Sequence, residues 1–288
     1  MAGLAMGMVA LIDAHVHCWQ LGHHACTWPP PGLGAIHRDF GLGDWQAEAA
    51  PLGATRAILV QSQASARDTD WLLELARDDS RVAGVVGWID LAAPGASAGI
   101  AQLAASPKLR GVRPMLQDQP DIDWILASAL RPAFAALVAW GLCFDALVRP
   151  DQLTTLLRLA DRHPDLRIVI DHAAKPELAC GRLDPWRSLI DGLAALPNVY
   201  CKLSGLVTEA GPGWRVAQLA PCVDHLLAAF GASRLLWGSD WPVVNLAGGY
   251  ARWLAATDEL LPRDAASRAR ILGANAARVY GVDAGMGS

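Results

Sequence analysis

The stretch Leu11-Ile12-Asp13-Ala14-His15-Val16-His17 is apolar and β-branched except for three ionisable side chains placed two residues apart. Alternate residues of a strand share a face, so this spacing predicts a strand with Asp13, His15 and His17 on one side. Seven comparable runs follow, at Arg56–Gln61, Val82–Asp90, Leu109–Leu116, Gly141–Val148, Arg167–His172, Asn198–Leu203 and Arg234–Asp240. Short apolar runs punctuated by Gly, Pro, Asp or Asn read as parallel strands buried on both faces. Between them, Asp68–Asp78, Asp151–His163, Asp184–Leu196 and Val216–Phe230 repeat Leu, Ala and Val at spacings of three and four, which predicts amphipathic helices. Arg263–Tyr280 reads as a closing helix that stops at Gly281. Eight such alternations predict an α/β fold, a (β/α)8 barrel forming a single domain over residues 1–288.

Composition narrows the class. The 288 residues are 53% hydrophobic and 18% charged, which excludes a disordered chain. Gly, Pro, Arg or Asp interrupts every apolar stretch before the ~18 residues of a membrane span, so no membrane partner is expected. Met1–Ala10 is apolar but short and has no basic residue ahead of it, so a cytoplasmic location is expected rather than secretion. The six cysteines include no C-x-x-C pair and read as buried hydrophobes in a reducing compartment. Net charge is −4 with only three lysines and no basic block, which argues against nucleic acid as a partner. A small-molecule substrate is expected, and a homo-oligomer is compatible with this composition. Twelve tryptophans against four Phe and three Tyr suggest either a crowded core or a ligand pocket with aromatic walls.

In a barrel the loops after strands form the catalytic face. The stretch over residues 21–43, rich in Pro and Gly, follows the first strand and reads as a lid or pocket wall over the catalytic face. His172 ends the sixth run after Ile168 and Ile170, and Asp240 ends the eighth inside Gly238-Ser239-Asp240-Trp241-Pro242. The first and eighth strands of a closed barrel are neighbours, so His15, His17, His172 and Asp240 are expected to converge. Three imidazoles around one carboxylate suit two chemistries: they hold a divalent ion that activates water, or Asp240 activates water while histidines polarise the electrophile. Arg113, Asp145, Gln61 and Lys202 also fall within or at the end of apolar runs, where an unpaired charge is expensive. They are expected to bind substrate, or to form an internal salt bridge of Arg113 or Lys202 with Asp145 below the site. No G-x-G-x-x-G or G-x-x-x-x-G-K-[ST] follows any run, so a nucleotide-binding sheet is not supported.

Ile12-Asp13-Ala14-His15-Val16-His17, Asp171-His172-Ala173-Ala174-Lys175-Pro176, Lys202-Leu203-Ser204-Gly205-Leu206 and Gly238-Ser239-Asp240-Trp241-Pro242 stand in this order along the chain. Together they resemble the amidohydrolase superfamily, and within it the branch of lactone hydrolases that includes sugar lactonases. The resemblance implies the metal-dependent-hydrolase barrel, with Asp240 as the base that takes a proton from water and returns it to the leaving alkoxide. It also implies that His15, His17 and His172 surround the lactone carbonyl or, with Asp240, hold a single divalent cation, zinc first. Arg113 and Asp145 stand on the fourth and fifth strands where a bridging lysine and a further histidine would serve a second metal, so a two-metal site is not expected. With few cations at the strand ends, a neutral sugar lactone is the expected substrate, and Trp19, Trp28, Trp88 and Trp241 are the candidate walls for its ring. Other readings of the same residues are a sugar-lactone isomerase, a zinc-dependent amidohydrolase or decarboxylase, and a barrel that binds a sugar acid without turning it over.

Overall fold

The computed structural model describes residues 11–283, so the reading of Met1–Ala10 lies outside the described residues. Eight strands, β1 (Leu11–Val16), β2 (Ala54–Val60), β3 (Val82–Gly87), β4 (Leu109–Val112), β5 (Cys143–Ala146), β6 (Ile168–Ile170), β7 (Val199–Leu203) and β8 (Leu235–Trp237), pair in parallel in sequence order. The ring is completed past the end of β8. There Asp240 N–H donates to His15 O at 2.9 Å and His17 N–H donates to Trp241 O at 2.8 Å. The predicted barrel is therefore the fold found. The helical jacket comprises α1 (Leu42–Ala49), α2 (Ala66–Ala76), α3 (Ala96–Ala104), α4 (Arg131–Ala139), α5 (Leu153–Arg162), α6 (Trp186–Ala194), α7 (Leu206–Ala210), α8 (Val216–Phe230), α9 (Tyr250–Leu260), α10 (Ala265–Ala269) and α11 (Asn275–Tyr280). The segment read as one helix over Arg263–Tyr280 is α10 and α11 joined by a π turn at Arg270–Ala274. A π turn adds a residue to the helical ring and so resets which face follows it.

Strand alternation divides the core into two layers. Ile12, Ala14, Ile58, Val60, Val86, Cys143, Val169 and Leu236 pack together inside the barrel, and Ala276, Ala277, Val279 and Tyr280 pack against them. These last four residues, brought by α11, close the floor at the N-terminal ends of the strands. The residues of opposite parity, among them Leu59, Val85, Phe144, Ile168, Ile170, Cys201 and Trp237, belong to the larger cluster shared with the helices. Several strands are shorter than the runs that announced them: β3 stops at Gly87 rather than Asp90, β4 at Val112 rather than Leu116, and β8 at Trp237 rather than Asp240. Beyond those points the chain leaves the ladder to build the rim.

Asp13 departs from the expected face. Ile12 and Ala14 point inward, while Asp13 meets α1, where Trp45 Nε1 donates to its Oδ2 at 3.3 Å. The β1–β2 register shifts between Asp13 and Val16, and this irregularity brings His15 back to the interior, so Asp13 and His15 lie on opposite sides despite their spacing. Asp13 instead ties β1 to the chain leaving β8: its Oδ1 accepts from Ser239 N–H at 2.8 Å and from His15 N–H at 3.2 Å. Burial pushes its carboxyl up to about 6 against those bonds.

At Gly111 on β4 a Cβ would stand 2.8 Å from the Cys143 carbonyl oxygen of β5. A backbone atom in a paired strand yields less readily than a side-chain tip. Gly111→Ala is expected to destabilise the barrel by about 1–3 kcal/mol, measured as a lowered midpoint in urea unfolding.

Candidate active site

Four side chains meet at the C-terminal end of the barrel. His15 Nε2 and His17 Nε2 are 3.2 Å apart. Asp240 Oδ1 lies 3.7 Å from His15 Nε2, 3.4 Å from His17 Nε2 and 3.9 Å from His172 Nε2. All four residues are buried. The expected convergence is present in the geometry, but His172 reaches it by an unexpected route. Ile168 and Ile170 face the helices, and the inward position at the end of β6 belongs to Asp171. His172, Ala173, Ala174 and Lys175 then follow with φ between 50 and 59°, a left-handed turn closed by Lys175 N–H donating to His172 O at 2.8 Å. Non-glycine residues pay roughly 1–2 kcal/mol each for this conformation. The turn breaks the alternation and lets two consecutive residues, Asp171 and His172, both face the centre.

Beneath this ring lies a layer of charge. Lys202 Nζ from β7 donates to Asp145 Oδ2 at 2.6 Å, approaches Asp171 Oδ1 at 3.0 Å, and lies 3.2 Å from His15 Nδ1. Tyr280 Oη donates to Asp145 Oδ2 from below at 2.7 Å. Burial alone would strip the charge from Lys202, but Asp145 and Asp171 overcome it and hold the ammonium above its ordinary value. Burial pushes the Asp145 carboxyl up to about 6, with Lys202 opposing. For Asp171, Lys202, His15 and Arg113 outweigh the burial that would raise it, and its carboxyl is held well below the usual range. Burial and the Lys202 charge hold His15 well below the ordinary imidazole value. Burial lowers His172 to about 4 against the pull of Asp240. Asp240 is held below the usual carboxylate range, because the three imidazoles overcome its burial.

These bonds assign protons. The Val60 carbonyl can only accept, so His17 Nδ1, 2.8 Å away, carries a hydrogen and a neutral ring turns the lone pair of Nε2 inward. For His15 a donor stands at each ring nitrogen, Lys202 Nζ 3.2 Å from Nδ1 and Arg113 Nη1 3.4 Å from Nε2, so its hydrogen can sit on either. His172 Nδ1 lies 2.9 Å from Ser204 Oγ, a hydroxyl that can donate or accept, so its tautomer follows whatever occupies the site.

The donor set fits a divalent ion. The His17 Nε2 lone pair and the Asp240 carboxylate face each other at 3.4 Å with no hydrogen between them, an arrangement that a cation relieves. Metal–ligand distances of about 2.0–2.1 Å in a tetrahedron put ligand atoms about 3.3–3.4 Å apart, close to the separations within His15, His17 and Asp240, which form one candidate metal group. His15 joins such a set when its proton sits on Nδ1, with Asp171 Oδ1 3.5 Å away to receive it. A second group, His15 with Asp171 and His172, also has metal-ligating spacing. Its place is taken by the Lys202 ammonium, which already contacts both Asp171 and His15.

A cavity of about 540 Å³ opens above the ring. His17, His172, Asp240 and Arg113 line it, as do Trp28, Ser62, Gln63, Met115, Lys175 and Glu209. Several residues read as substrate-binding lie elsewhere. Lys202 and Asp145 are fully buried in the layer below, in the salt bridge that was the other reading of them. Gln61 is fully buried and donates to Arg113 O at 2.8 Å, bracing the rim between β2 and β4. Arg113 reaches the cavity but is engaged by Asp171 at 3.4 Å. Of the four tryptophans, only Trp28 lines the cavity. Trp19 and Trp241 are fully buried because their indole N–H groups find partners in the surrounding scaffold, Arg38 O at 2.7 Å and Glu48 Oε1 at 3.0 Å. Trp88 is half-buried and outside the lining. Asp171, Ser204, Lys175 and Glu209 were not singled out from sequence as site residues. The inward parity of Val169 would have indicated Asp171, whereas the others depend on loop shape.

The amidohydrolase family model matches residues 12–282. The chain belongs to the amidohydrolase family. This amidohydrolase is 50% identical over 283 residues to the L-fucono-1,5-lactonase of Burkholderia ambifaria, an alignment covering 96% of this chain and 97% of that protein. It is 39% identical to the L-fucono-1,5-lactonase of Burkholderia multivorans, covering 93% and 95% of the two chains. A crystal structure of a Burkholderia multivorans amidohydrolase with bound zinc superposes with a TM-score of 0.89 at 37% identity, over 95% of this chain and 99% of that one.

Gly205, with φ of 65°, lies under His172, and a Cβ there would stand 2.7 Å from the imidazole Cγ and Nδ1. Gly205→Ala in this amidohydrolase is expected to displace the ring and to lower kcat/KM at least about tenfold, the rate equivalent of ~1.4 kcal/mol, with the far-ultraviolet circular dichroism unchanged.

Proposed function

We propose that this amidohydrolase hydrolyses a neutral sugar lactone of the L-fucono-1,5-lactone type to the open hydroxy acid, with Asp240 as the acid–base residue. The observation that carries the assignment of roles is Asp240 Oδ1 within 3.9 Å of three imidazole nitrogens at the wall of the cavity. The two L-fucono-1,5-lactonases at 50% and 39% identity support the substrate class. So does the charge of the cavity wall: Asp118, Glu209 and Asp240 line it against the cations Arg113 and Lys175. With Arg113 engaged by Asp171, an anionic substrate meets net repulsion, while an uncharged ring does not.

Water held beside Asp240 loses a proton to the carboxylate as its oxygen attacks the lactone carbonyl. The tetrahedral intermediate collapses by breaking the bond to the ring oxygen, and Asp240 returns the proton to that oxygen, so one water is consumed and Asp240 is regenerated. His172, whose Nε2 can carry the hydrogen when Ser204 donates to Nδ1, and the Arg113 guanidinium supply donors for the developing oxyanion from the cavity wall. Low basicity keeps His172 neutral, and a depressed carboxyl value keeps Asp240 ionised. His15, His17 and Asp240, with His172 beside them, would hold one divalent ion, zinc first, and such an ion would supply Lewis-acid polarisation of the carbonyl. Trp28 offers its face to the apolar side of the sugar ring. The whole chain acts as one barrel domain, with residues 21–43 as a wall of the pocket. A cytoplasmic location accords with six cysteines that are all unpaired.

Three measurements test these assignments. Asp240→Asn is expected to lower kcat/KM on a panel of sugar lactones by at least about 1,000-fold; a variant that keeps most of the activity overturns the role of Asp240. In the wild type, nuclear magnetic resonance should find one hydroxy acid with solvent oxygen in its carboxylate, since an isomerase consumes no water. Elemental analysis is expected to find about one zinc per chain in the wild-type protein and far less in His17→Ala, consistent with a single-ion donor set.

A further inference from the structure

Two features of the cavity wall play no part in the proton transfers. The first is Gln63, three residues past β2. Its Oε1 accepts from Thr27 N–H at 3.1 Å, a bond to the long loop over residues 21–43 that fixes which end of the amide is which. Its Nε2 is buried without a hydrogen-bond partner among the described residues. A buried donor left unpaired is costly, and one in a cavity wall is satisfied by whatever the cavity binds. The second is the pair Lys175 and Glu209, whose Nζ and Oε1 are 3.9 Å apart, too far for a hydrogen bond. Their side chains are only 27% and 31% exposed, so two charged groups are held partly out of water without contacting one another. In a ring of eight strands β2 lies across from β6, so Gln63 stands on one side of the mouth and Lys175, carried by the turn after β6, on the other. Glu209 joins Lys175 from α7, after β7.

We propose that these three residues read the hydroxyl groups of the substrate ring, Gln63 Nε2 donating to one ring-borne oxygen while the Glu209 carboxylate accepts from a pair of neighbouring hydroxyls and Lys175 donates to an oxygen beside them. The proposal deepens the lactonase reading and rests on it. A neutral polyhydroxylated ring presents donors and acceptors together, and the wall presents the complement, an amide donor facing a carboxylate and an ammonium. Bonds to charged groups discriminate most strongly between a substrate that makes them and one that lacks the hydroxyl, because the empty carboxylate stays partly desolvated. Glu209 and Asp240 share the wall, so the same arrangement disfavours a second carboxylate on the ring.

The test compares kcat/KM on L-fucono-1,5-lactone and on unsubstituted δ-valerolactone for the wild type, Glu209→Gln and Gln63→Leu. The ratio of the two values is expected to fall by about 10–100-fold in Glu209→Gln, chiefly through KM for the sugar lactone, and by about tenfold in Gln63→Leu, the magnitudes of a charged and a neutral hydrogen bond. Parallel losses on both lactones, or a ratio that does not move in either variant, overturn the proposal. If Glu209→Gln fails to fold, Gln63→Leu on the opposite wall carries the test alone. Asp240→Asn serves as the separate control: it should lose both substrates together, and a wild type inactive on both lactones overturns the lactonase reading and this proposal with it, whereas an active wild type with an unmoved ratio overturns only the hydroxyl contacts.

Discussion

A lysine ammonium with no access to water sits at the centre of this barrel, and the rest of the site is arranged around keeping it charged. Lys202 has three hydrogens and three neighbours, Asp145, Asp171 and His15, each supplied by a different strand. Removing any one of them leaves a buried charge short of a partner, which is far more costly than the net worth of an intact pair. The consequence for the chemistry above is directional. The ammonium at Nδ1 and the Arg113 guanidinium at Nε2 set one donor beside each nitrogen of His15, so cations constrain that ring from both sides. The Val60 carbonyl, which can only accept, fixes the hydrogen of His17 on Nδ1. A ring of ionisable groups that could adopt many protonation patterns is thereby reduced to few.

The floor contributes to the same constraint. Tyr280, in the last helix of the described chain, donates to Asp145 from below, and its neighbours Ala276, Ala277 and Val279 seal the barrel beneath it. The chain's first strand and its last helix thus meet at opposite ends of one column, apolar packing at the base, ion pairs in the middle and the Asp240 ring at the top. Among the helices of the jacket, α11 touches this column directly. Others act by fixing strand ends, as when Trp45 of α1 holds the outward Asp13 that ties β1 to Ser239.

Much of this is legible in the amino-acid sequence. Period-two alternation and eight punctuated apolar runs predict the barrel, and strand adjacency in a closed ring predicts that His15, His17, His172 and Asp240 meet. What resists such reading is every place where the chain departs from regular geometry. A register shift in β1 sends Asp13 outward although its spacing from His15 suggests otherwise. Early strand ends turn Arg113 and Gln61 into rim braces. The tryptophans are a different kind of failure: Trp19 and Trp241 stand at strand ends, as a sugar wall would, but an indole that finds an N–H partner in the scaffold is buried there, and sequence position does not say which indoles will find one. Glu209 and Lys175 come from separate loops, and nothing in either stretch announces the other.

The left-handed turn over His172–Lys175 ties two properties of the enzyme to one short peptide. His172 at its start belongs to the ring around Asp240, and Lys175 at its end belongs to the cavity wall beside Glu209. A substitution that relaxes the turn toward right-handed geometry moves both side chains at once, so the ring around Asp240 and the cavity wall are not separately adjustable through these four residues. Laboratory evolution toward other lactones should therefore find its tolerated changes on Gln63 and the loop over residues 21–43, where the wall can be recut without unwinding the support of the ring. The turn behaves as a cassette, to be exchanged whole or left alone.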